Sequence, residues 1–226
     1  AGGLGTRLKG VVSDRPKCMA EVNGRPFLFY LLSSLEGKGI DKVVLSLGYM
    51  NEKVVSWLQE RRKDFSFVID YVIEEKPLGT GGGIKLALTK TKEDDVLILN
   101  GDTFFDIDLS SFYAFHKEKK ASISLALKSM TMFSRYGTVE VKDEKITRFN
   151  EKQFCEKGLI NGGVYLIDKT KIDLNILPQT FSFEKDVLEK QVTKNTLYGK
   201  TFSSYFIDIG IPEDYNKAQE DFQKIF

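Results

Sequence analysis

Short apolar runs alternate with stretches of helical periodicity in the first half of this chain. Three apolar runs have the length of buried strands: 43–47, 67–73 and 96–99. Three other stretches place apolar side chains at helical spacing: 26–35, 53–60 and 84–88. Strands that alternate with helices predict βαβ units and a largely parallel sheet. Ligands bind beyond the carboxyl ends of the strands in such sheets, so the residues that follow these runs are candidates for a site.

The second half of the chain has more strands and fewer helices. Four strands are predicted: 122–127, 137–141, 163–167 and 204–207. Residues 182–190 and 213–226 have helical character, and Pro212 suits the start of the last helix. We expect a mixed extension of the same sheet with an antiparallel part. No linker or repeat interrupts the chain, so we predict a single domain over residues 1–226.

The charge balance argues against a polymeric or membrane partner. The 226 residues carry 33 basic and 32 acidic side chains, which gives a net charge of +1. Without a basic stripe, neither nucleic acid nor an anionic membrane is an expected partner, and phosphate binding must come from a few placed charges. No apolar run approaches the roughly 18 residues of a spanning helix. The cysteines, Cys18 and Cys155, do not form a secreted disulfide framework, so we expect a cytoplasmic protein.

A glycine-rich, basic segment opens the chain and could wrap a triphosphate. It supplies bare main-chain N–H groups, a hydroxyl and two cations: Gly2, Gly3, Gly5, Thr6, Arg7 and Lys17. The alternative is a flexible chain end. The spacing fits neither the G-x-x-x-x-G-K-[ST] loop nor the G-x-G-x-x-G fingerprint, since Leu8 occupies the last glycine position of the fingerprint. Loops of this kind follow a strand, so we expect a first strand before residue 1.

Two aspartates lie where predicted strands end. Gly101-Asp102 follows the run at 96–99, and Asp208 follows the run at 204–207. Carboxylates there can hold Mg²⁺, which takes few protein oxygens and keeps water and phosphate as its other ligands. Taken alone, each aspartate could be a turn cap. Together with the basic glycine segment they predict a site for Mg²⁺ and a nucleoside triphosphate.

A second glycine-rich segment could hold a nucleotide base. Glu74 follows the run at 67–73, and Gly79 and Thr80 lead into glycines 81–83. A flat base could lie against glycine backbone, with its edge read by main-chain groups and a carboxylate. An ordinary helix start is the alternative interpretation.

Polar residues of the second half are candidates for a sugar phosphate. Glu151 could accept sugar hydroxyls and Lys152 could bind a phosphate, although an exposed Glu-Lys pair is more often only a solvated surface. Asn161-Gly162 places an amide in a predicted tight turn before a strand. His116 lies in a predicted surface helix and is interpreted as structural, so no histidine-based mechanism is expected.

These segments together resemble the sugar-1-phosphate nucleotidyltransferase family. Its opening signature, G-G-x-G-T-R-L with a later P-K, is found at residues 2–8 and 16–17. Its base-binding, metal-binding and closing motifs are found at 74–82, 101–102 and 208–215. The pieces on the sugar side resemble Tyr136-Gly137, Glu151-Lys152 and Asn161-Gly162-Gly163. One departure is Cys18, where many relatives have a second proline.

The resemblance implies a Rossmann-like, three-layer α/β fold of the nucleotide-diphospho-sugar transferase type, with a mixed, mostly parallel sheet flanked by helices. It implies a nucleotide-binding half at about 1–120 and a sugar-phosphate-binding half at about 121–226. It assigns catalysis to Arg7, Lys17 and Asp102, the metal to Asp102 and Asp208, and the base to Glu74, Gly79 and Thr80. It assigns binding of the sugar-phosphate substrate to Tyr136, Gly137, Glu151, Lys152, Asn161 and Gly162.

Within the family, residues 100–108, 159–163 and 205–210 resemble the bacterial branch that transfers GMP from GTP to D-glycero-D-manno-heptose 1-phosphate. The expected partners are therefore GTP and a heptose 1-phosphate, with Mg²⁺ as cofactor, and a homo-oligomer is possible. Alternative enzyme functions are a mannose-1-phosphate guanylyltransferase and another hexose-1-phosphate nucleotidyltransferase that uses UTP or dTTP. The non-enzymatic reading is a regulatory subunit that binds nucleotide sugars.

Overall fold

The computed structural model describes residues 14–226, in which twelve strands and six α-helices are found. The strands are β1 (Glu21–Val22), β2 (Arg25–Pro26), β3 (Lys42–Leu47), β4 (Val68–Ile73), β5 (Asp95–Leu99), β6 (Thr103–Phe105), β7 (Ile123–Phe133), β8 (Val139–Lys142), β9 (Lys145–Phe149), β10 (Cys155–Asp168), β11 (Leu197–Phe202) and β12 (Phe206–Asp208). The helices are α1 (Phe27–Ser33), α2 (Asn51–Arg61), α3 (Gly79–Leu88), α4 (Leu109–Glu118), α5 (Glu189–Val192) and α6 (Pro212–Ile225), and a π-helical turn, Glu184–Leu188, leads into α5. Within this range no helix is both long and apolar enough to cross a bilayer.

The chain forms two compact units. Among the described residues, the first comprises 14–91, 101–104 and 207–226, and the second comprises 92–100 and 105–206. The mixed α/β fold expected from the sequence is confirmed. The prediction of a single domain with two halves stays a prediction.

The parallel pair β3 and β4 gives the first unit its sheet. The two strands run in register from Lys42 opposite Val68 to Leu47 opposite Ile73, with α2 in the connection between them. This is the βαβ arrangement that the alternating apolar runs predict. Both strands end at the same edge, where Gly48 and Glu74 begin the following segments. That edge is where side chains for ligand binding are expected.

A cluster of aromatic rings packs α6 into the first unit. Phe222 is 1% exposed, and its ring lies 5.8 Å from Phe27, 4.7 Å from Tyr30 and 5.2 Å from Phe104, measured between centroids. The helix starts at Pro212 with two acids in its first turn, which suits the positive end of the helix dipole. The cluster therefore fixes both the last helix and the segment that contains Phe104.

An Asn-Gly turn closes a short hairpin in the first unit. Asn23 and Gly24 both have positive φ, 49° and 74°, which is the backbone form that joins tightly paired antiparallel strands. The side chain of Val22 is fully buried, and the Tyr30 hydroxyl donates to the Val22 carbonyl at 2.8 Å. The hairpin thereby anchors the chain just after Lys17.

The second unit is built on a six-stranded sheet in the order β5-β10-β7-β11-β9-β8. Neighbouring strands are antiparallel except β7 and β11, which are parallel. One face packs on α4 through buried apolar residues that include Phe105, Phe112, Phe115 and Val164. This is the antiparallel part that the second half of the sequence predicts.

One local prediction in the second unit is wrong. Asn161 and Gly162 do not precede a strand in a tight turn, because β10 runs through them and changes register between Asn161 and Tyr165. Gly163 has φ +72°, so the backbone makes a bulge and the strand continues. His116 lies on the surface helix α4 as predicted, and its own side chain is only 1% exposed.

Candidate functional site

In the first unit, Asp102 contacts both Lys17 and the segment that bears Asp208. Lys17 Nζ donates to Asp102 Oδ2 at 2.8 Å, and these residues are 85 positions apart in the chain. The Ile209 N–H donates to the Asp102 carbonyl at 3.0 Å, which places Asp208 beside the same segment. Strands β6 and β12 pair with each other and continue this contact. The structure thus joins Lys17 to Asp102, and Asp102 to the segment of Asp208, while the predicted roles of these residues stay predictions.

The backbone around Lys17 is held by a short 3-10 turn over Lys17–Met19. The Met19 N–H donates to the Pro16 carbonyl at 2.8 Å, and the Ala20 N–H donates to the Lys17 carbonyl at 3.0 Å. Cys18 is buried beside Lys17, and burial raises the pKa of its thiol to about 11. A thiol with that pKa is mainly protonated at neutral pH, which disfavours a role as nucleophile.

The two aspartates carry different local contacts. Asp208 Oδ1 accepts from the Gly210 N–H at 2.7 Å, and Asp102 Oδ1 accepts from the Thr103 hydroxyl at 3.4 Å. The Asp102 side chain keeps 36% of its surface exposed, so solvent and ligand can reach it. Among the residues from 14 onward, no group of three or more His, Cys, Asp or Glu side chains gathers as a metal site. Asp102 and Asp208 are the residues that could hold a cation here.

Glu74 lies at the carboxyl edge of β3 and β4 and is hydrogen-bonded both to β3 and to the segment before α3. Its N–H donates to the Leu47 carbonyl at 2.7 Å, and its carboxylate accepts from the Ser46 hydroxyl at 2.9 Å and from the Leu78 N–H at 3.2 Å. Gly79 follows with φ +73°, a conformation that glycine adopts without strain. Thr80 is the next residue, in the first turn of α3. The predicted base-binding residues thus lie along the connection from β4 into the first turn of α3.

The glycine-rich opening lies outside the described residues. Its predicted phosphate contacts are Gly2, Gly3, Gly5, Thr6 and Arg7, and they stay predictions. Gly101 is also predicted to bind the nucleotide, and it lies among the described residues, directly before Asp102.

The predicted sugar-side residues of the second unit come from three neighbouring segments. The Asn150 N–H donates to the Thr138 carbonyl at 2.8 Å, which joins Tyr136-Gly137 to Glu151-Lys152. A β-carbon on Gly137 would lie 2.3 Å from the Asn150 carbonyl oxygen, so this close approach needs glycine. Thr138 also bridges to Ile160, the residue before Asn161. Glu151 and Lys152 are both exposed.

The side chains of Asn161 and Tyr136 have partners within the second unit. Asn161 Oδ1 accepts from the Gly163 N–H at 3.0 Å, and its Nδ2 donates to the Tyr165 hydroxyl at 2.9 Å. The Tyr136 ring packs edge-on against Phe206 at 6.1 Å. Packing requires glycine at position 162, because a β-carbon there would lie 2.5 Å from the Phe105 ring. The bulge in β10 is therefore held by local contacts as well as being a candidate sugar site.

Sequence reasoning missed two polar residues that hold site segments. Ser46 contacts Glu74, and the rule that selected Glu74, a polar residue near the end of a strand, also applies to Ser46. Lys128 Nζ donates to the Ser203 carbonyl at 2.8 Å and to the Ser204 carbonyl at 2.5 Å, and burial lowers its pKa. Lys128 thereby holds the segment that leads into β12. Because Lys128 and Ser203 are 75 positions apart in the chain, no local sequence pattern predicts this contact.

Comparison with known proteins gives one family match and several similar enzymes. The nucleotidyl transferase family matches residues 1–225. The chain is 47% identical over 222 residues to a D-glycero-alpha-D-manno-heptose 1-phosphate guanylyltransferase of Aneurinibacillus thermoaerophilus, with 98% of this chain and 96% of that protein covered. It is 44% identical over 215 residues to the protein of the same description from Campylobacter jejuni subsp. jejuni, with 95% and 94% covered. The crystal structure of HddC from Yersinia pseudotuberculosis complexed with GMP-PN matches with a TM-score of 0.88 at 35% identity, with 98% and 96% covered.

Proposed function

We infer the reaction from one premise, which is that this chain belongs to the nucleotidyl transferase family. The resemblance seen in the sequence motifs is thereby confirmed. We propose that the protein transfers GMP from GTP to D-glycero-α-D-manno-heptose 1-phosphate and releases pyrophosphate. The nucleotide and the sugar are those named for its relatives.

The meeting of Lys17, Asp102 and Asp208 is the observation that carries the proposal. These residues come from three distant segments, and the 2.8 Å contact from Lys17 to Asp102 and the backbone bond from Ile209 to Asp102 join them. A positive charge beside two partly accessible carboxylates suits a triphosphate that carries a divalent cation. A purely structural ion pair would not need the second carboxylate.

The donor set at this position fits Mg²⁺. This cation keeps several waters and phosphate oxygens and takes one or two carboxylates from the protein, and the chain offers Asp102 and Asp208. When bound, the cation supplies positive charge that neutralises the phosphate oxygens at the reacting phosphorus. The remaining roles belong to side chains and main-chain groups of the protein.

The transfer is a single displacement. An oxygen of the sugar phosphate attacks the α-phosphorus of GTP, the bond from that phosphorus to the bridging oxygen of the β-phosphate breaks, and pyrophosphate leaves with the electron pair. Positioning and charge stabilisation supply most of the catalysis of such transfers. Lys17 stabilises the developing negative charge, and the glycine-rich opening with Arg7 binds the triphosphate. No covalent intermediate is required, which is consistent with the protonated thiol of Cys18.

The remaining assignments follow the positions of the other predicted residues. The turn from Glu74 to Thr80 takes the guanine base. In the second unit, Lys152 orients the attacking phosphate, while Glu151 and Asn161 bind sugar hydroxyls. Tyr136, Gly137 and Gly162 are assigned to sugar-phosphate binding with them. We also propose a cytoplasmic location, where GTP is available, and a homo-oligomer remains a prediction that light scattering on the purified protein tests.

A substrate matrix tests the proposal. Pyrophosphate release is measured with GTP, UTP, dTTP and ATP, each offered with heptose 1-phosphate, mannose 1-phosphate and glucose 1-phosphate. We expect the largest kcat/KM for GTP with heptose 1-phosphate, and loss of turnover when EDTA removes Mg²⁺. A higher value with mannose 1-phosphate or with UTP would replace the proposed substrates. Binding of nucleotide without turnover by any pair would favour the regulatory subunit.

A further inference from the structure

Ser46 and Glu74 lie side by side at the carboxyl edge of the parallel pair β3 and β4. Ser46 is the second-last residue of β3, and Glu74 is the first residue after β4. Because the register pairs Leu47 with Ile73, the two strands end together. The Glu74 N–H donates to the Leu47 carbonyl at 2.7 Å and continues the ladder by one residue. The position of Glu74 is therefore fixed from the strand side.

Both oxygens of the Glu74 carboxylate accept hydrogen bonds from within the chain. Oε1 accepts from the Ser46 hydroxyl at 2.9 Å, and Oε2 accepts from the Leu78 N–H at 3.2 Å. The carboxylate thus connects β3 to the turn that leads into α3. The Ser46 bond selects one orientation of the carboxylate, and that orientation presents the second oxygen to Leu78.

Gly83 leaves the space that this contact occupies. A β-carbon on Gly83 would lie 2.9 Å from Glu74 Oε1 and 3.2 Å from the Ser46 hydroxyl oxygen. Gly83 is buried in α3, where glycine costs helix stability of about 1 kcal/mol relative to alanine. A larger residue would improve the helix but would displace the carboxylate. The helix and the strand therefore meet around the Ser46–Glu74 pair.

We infer that Ser46 is a positioning residue for base recognition. Its hydroxyl acts through Glu74, whose carboxylate holds the Leu78 N–H and thereby fixes the turn at Leu78 and Gly79. The inference rests on the proposed function, in which this turn takes the guanine base. Gly83 serves the same contact by leaving room for it. Loss of the Ser46 hydroxyl should weaken nucleotide binding without changing the chemical step.

Equilibrium binding of Mg²⁺–GTP, measured by calorimetry without sugar phosphate, tests the inference. Ser46→Ala should raise the Kd by about tenfold, the size expected for one hydrogen bond to a charged group. Ser46→Thr keeps a hydroxyl and should return the Kd toward the wild-type value. Ser34→Ala is the matched control, because the Ser34 hydroxyl donates only to the Leu31 carbonyl at 2.7 Å, and its Kd should not change.

A second variant perturbs the same carboxylate from the helix side. Gly83→Ala should also raise the Kd, and the double variant with Ser46→Ala should show less than the product of the two effects, because both act through Glu74. In turnover assays both variants should raise KM for GTP and leave kcat within about twofold, as expected for loss of binding that is equal in ground and transition states. Circular dichroism confirms that each variant is folded.

The outcomes separate this inference from the proposed reaction. A wild-type protein that binds GTP but gives no pyrophosphate with any sugar phosphate would refute the reaction, and the Kd values would still decide the role of Ser46. An unchanged Kd in folded Ser46→Ala, or independent effects of the two variants, would overturn the inference. A wild-type protein that does not bind GTP would overturn both.

Discussion

Replacement of Lys17 by alanine should raise the free-energy barrier of the reaction by more than it lowers the free energy of unfolding. The Lys17 and Asp102 side chains are 19% and 36% exposed, and their charged atoms lie 2.8 Å apart. An ion pair that solvent reaches contributes at most about 1 kcal/mol to folding. A charge-stabilising group aimed at a transition state contributes about 2–4 kcal/mol. At 1.36 kcal/mol for each factor of ten, the expected loss of kcat is about 30-fold to 900-fold.

Two measurements on the same samples check this expectation. Urea unfolding gives the free energy of unfolding, and pyrophosphate release at saturating substrates gives kcat. Lys42→Ala is the matched control, because Lys42 also pairs with an aspartate, Asp70, at 3.3 Å in the first unit. The control should lose a similar amount of stability and keep its kcat. A folded Lys17→Ala variant with kcat within threefold of the wild type would refute the assignment of Lys17.

Three further predictions concern stability. Gly162→Ala should lower the free energy of unfolding by about 1–3 kcal/mol, since its β-carbon would lie 2.5 Å from the Phe105 ring, and an unchanged urea midpoint would contradict this. Phe222→Ala should cost about 3–5 kcal/mol in the same assay because it empties a fully buried position, and a loss below 1 kcal/mol would show that the site collapses. Burial lowers the pKa of His116 below its ordinary 6.5, although Asp95 acts in the opposite direction. The unfolded chain then binds a proton before the folded chain does, so this contribution to stability is complete above pH 6.5 and declines as the pH falls toward the folded pKa. His116→Gln should flatten the difference in unfolding free energy between pH 7.5 and pH 5.5, and an equal slope in both proteins would argue against it.

The regular elements could be predicted because their causes are local. The apolar run at 43–47 became β3, and Pro212 followed by two acids began α6. The bulge in β10 was not predicted, since glycines in sequence indicate an interruption but do not say whether strand pairing resumes beyond it. Gly163 takes a positive φ and the strand continues with a shifted register, an outcome decided by its neighbours β5 and β7.

Some candidate site residues could likewise be predicted from local sequence, and others depend on tertiary contacts. Asp102 and Glu74 could be identified because strand ends in α/β sheets attract functional side chains. Ser46 satisfies the same strand-end rule, but its contact with Glu74 follows only from the register of β3 and β4, which the sequence does not give. Burial of His116 was also invisible, because α4 has polar residues on both sides of it. Its Nδ1 lies 2.8 Å from the Ser124 hydroxyl, a contact that depends on how α4 packs on β7.

The aromatic cluster of the first unit links the segments that bear two aspartates 106 positions apart. Phe104 lies two residues after Asp102, and Phe222 lies on the helix that starts four residues after Asp208. The rings of these phenylalanines pack at 5.2 Å, and both side chains are almost fully buried. Burial of aromatic surface is strong and tolerates little displacement, so the segments that bear the carboxylates are held by apolar contacts and not by the carboxylates themselves.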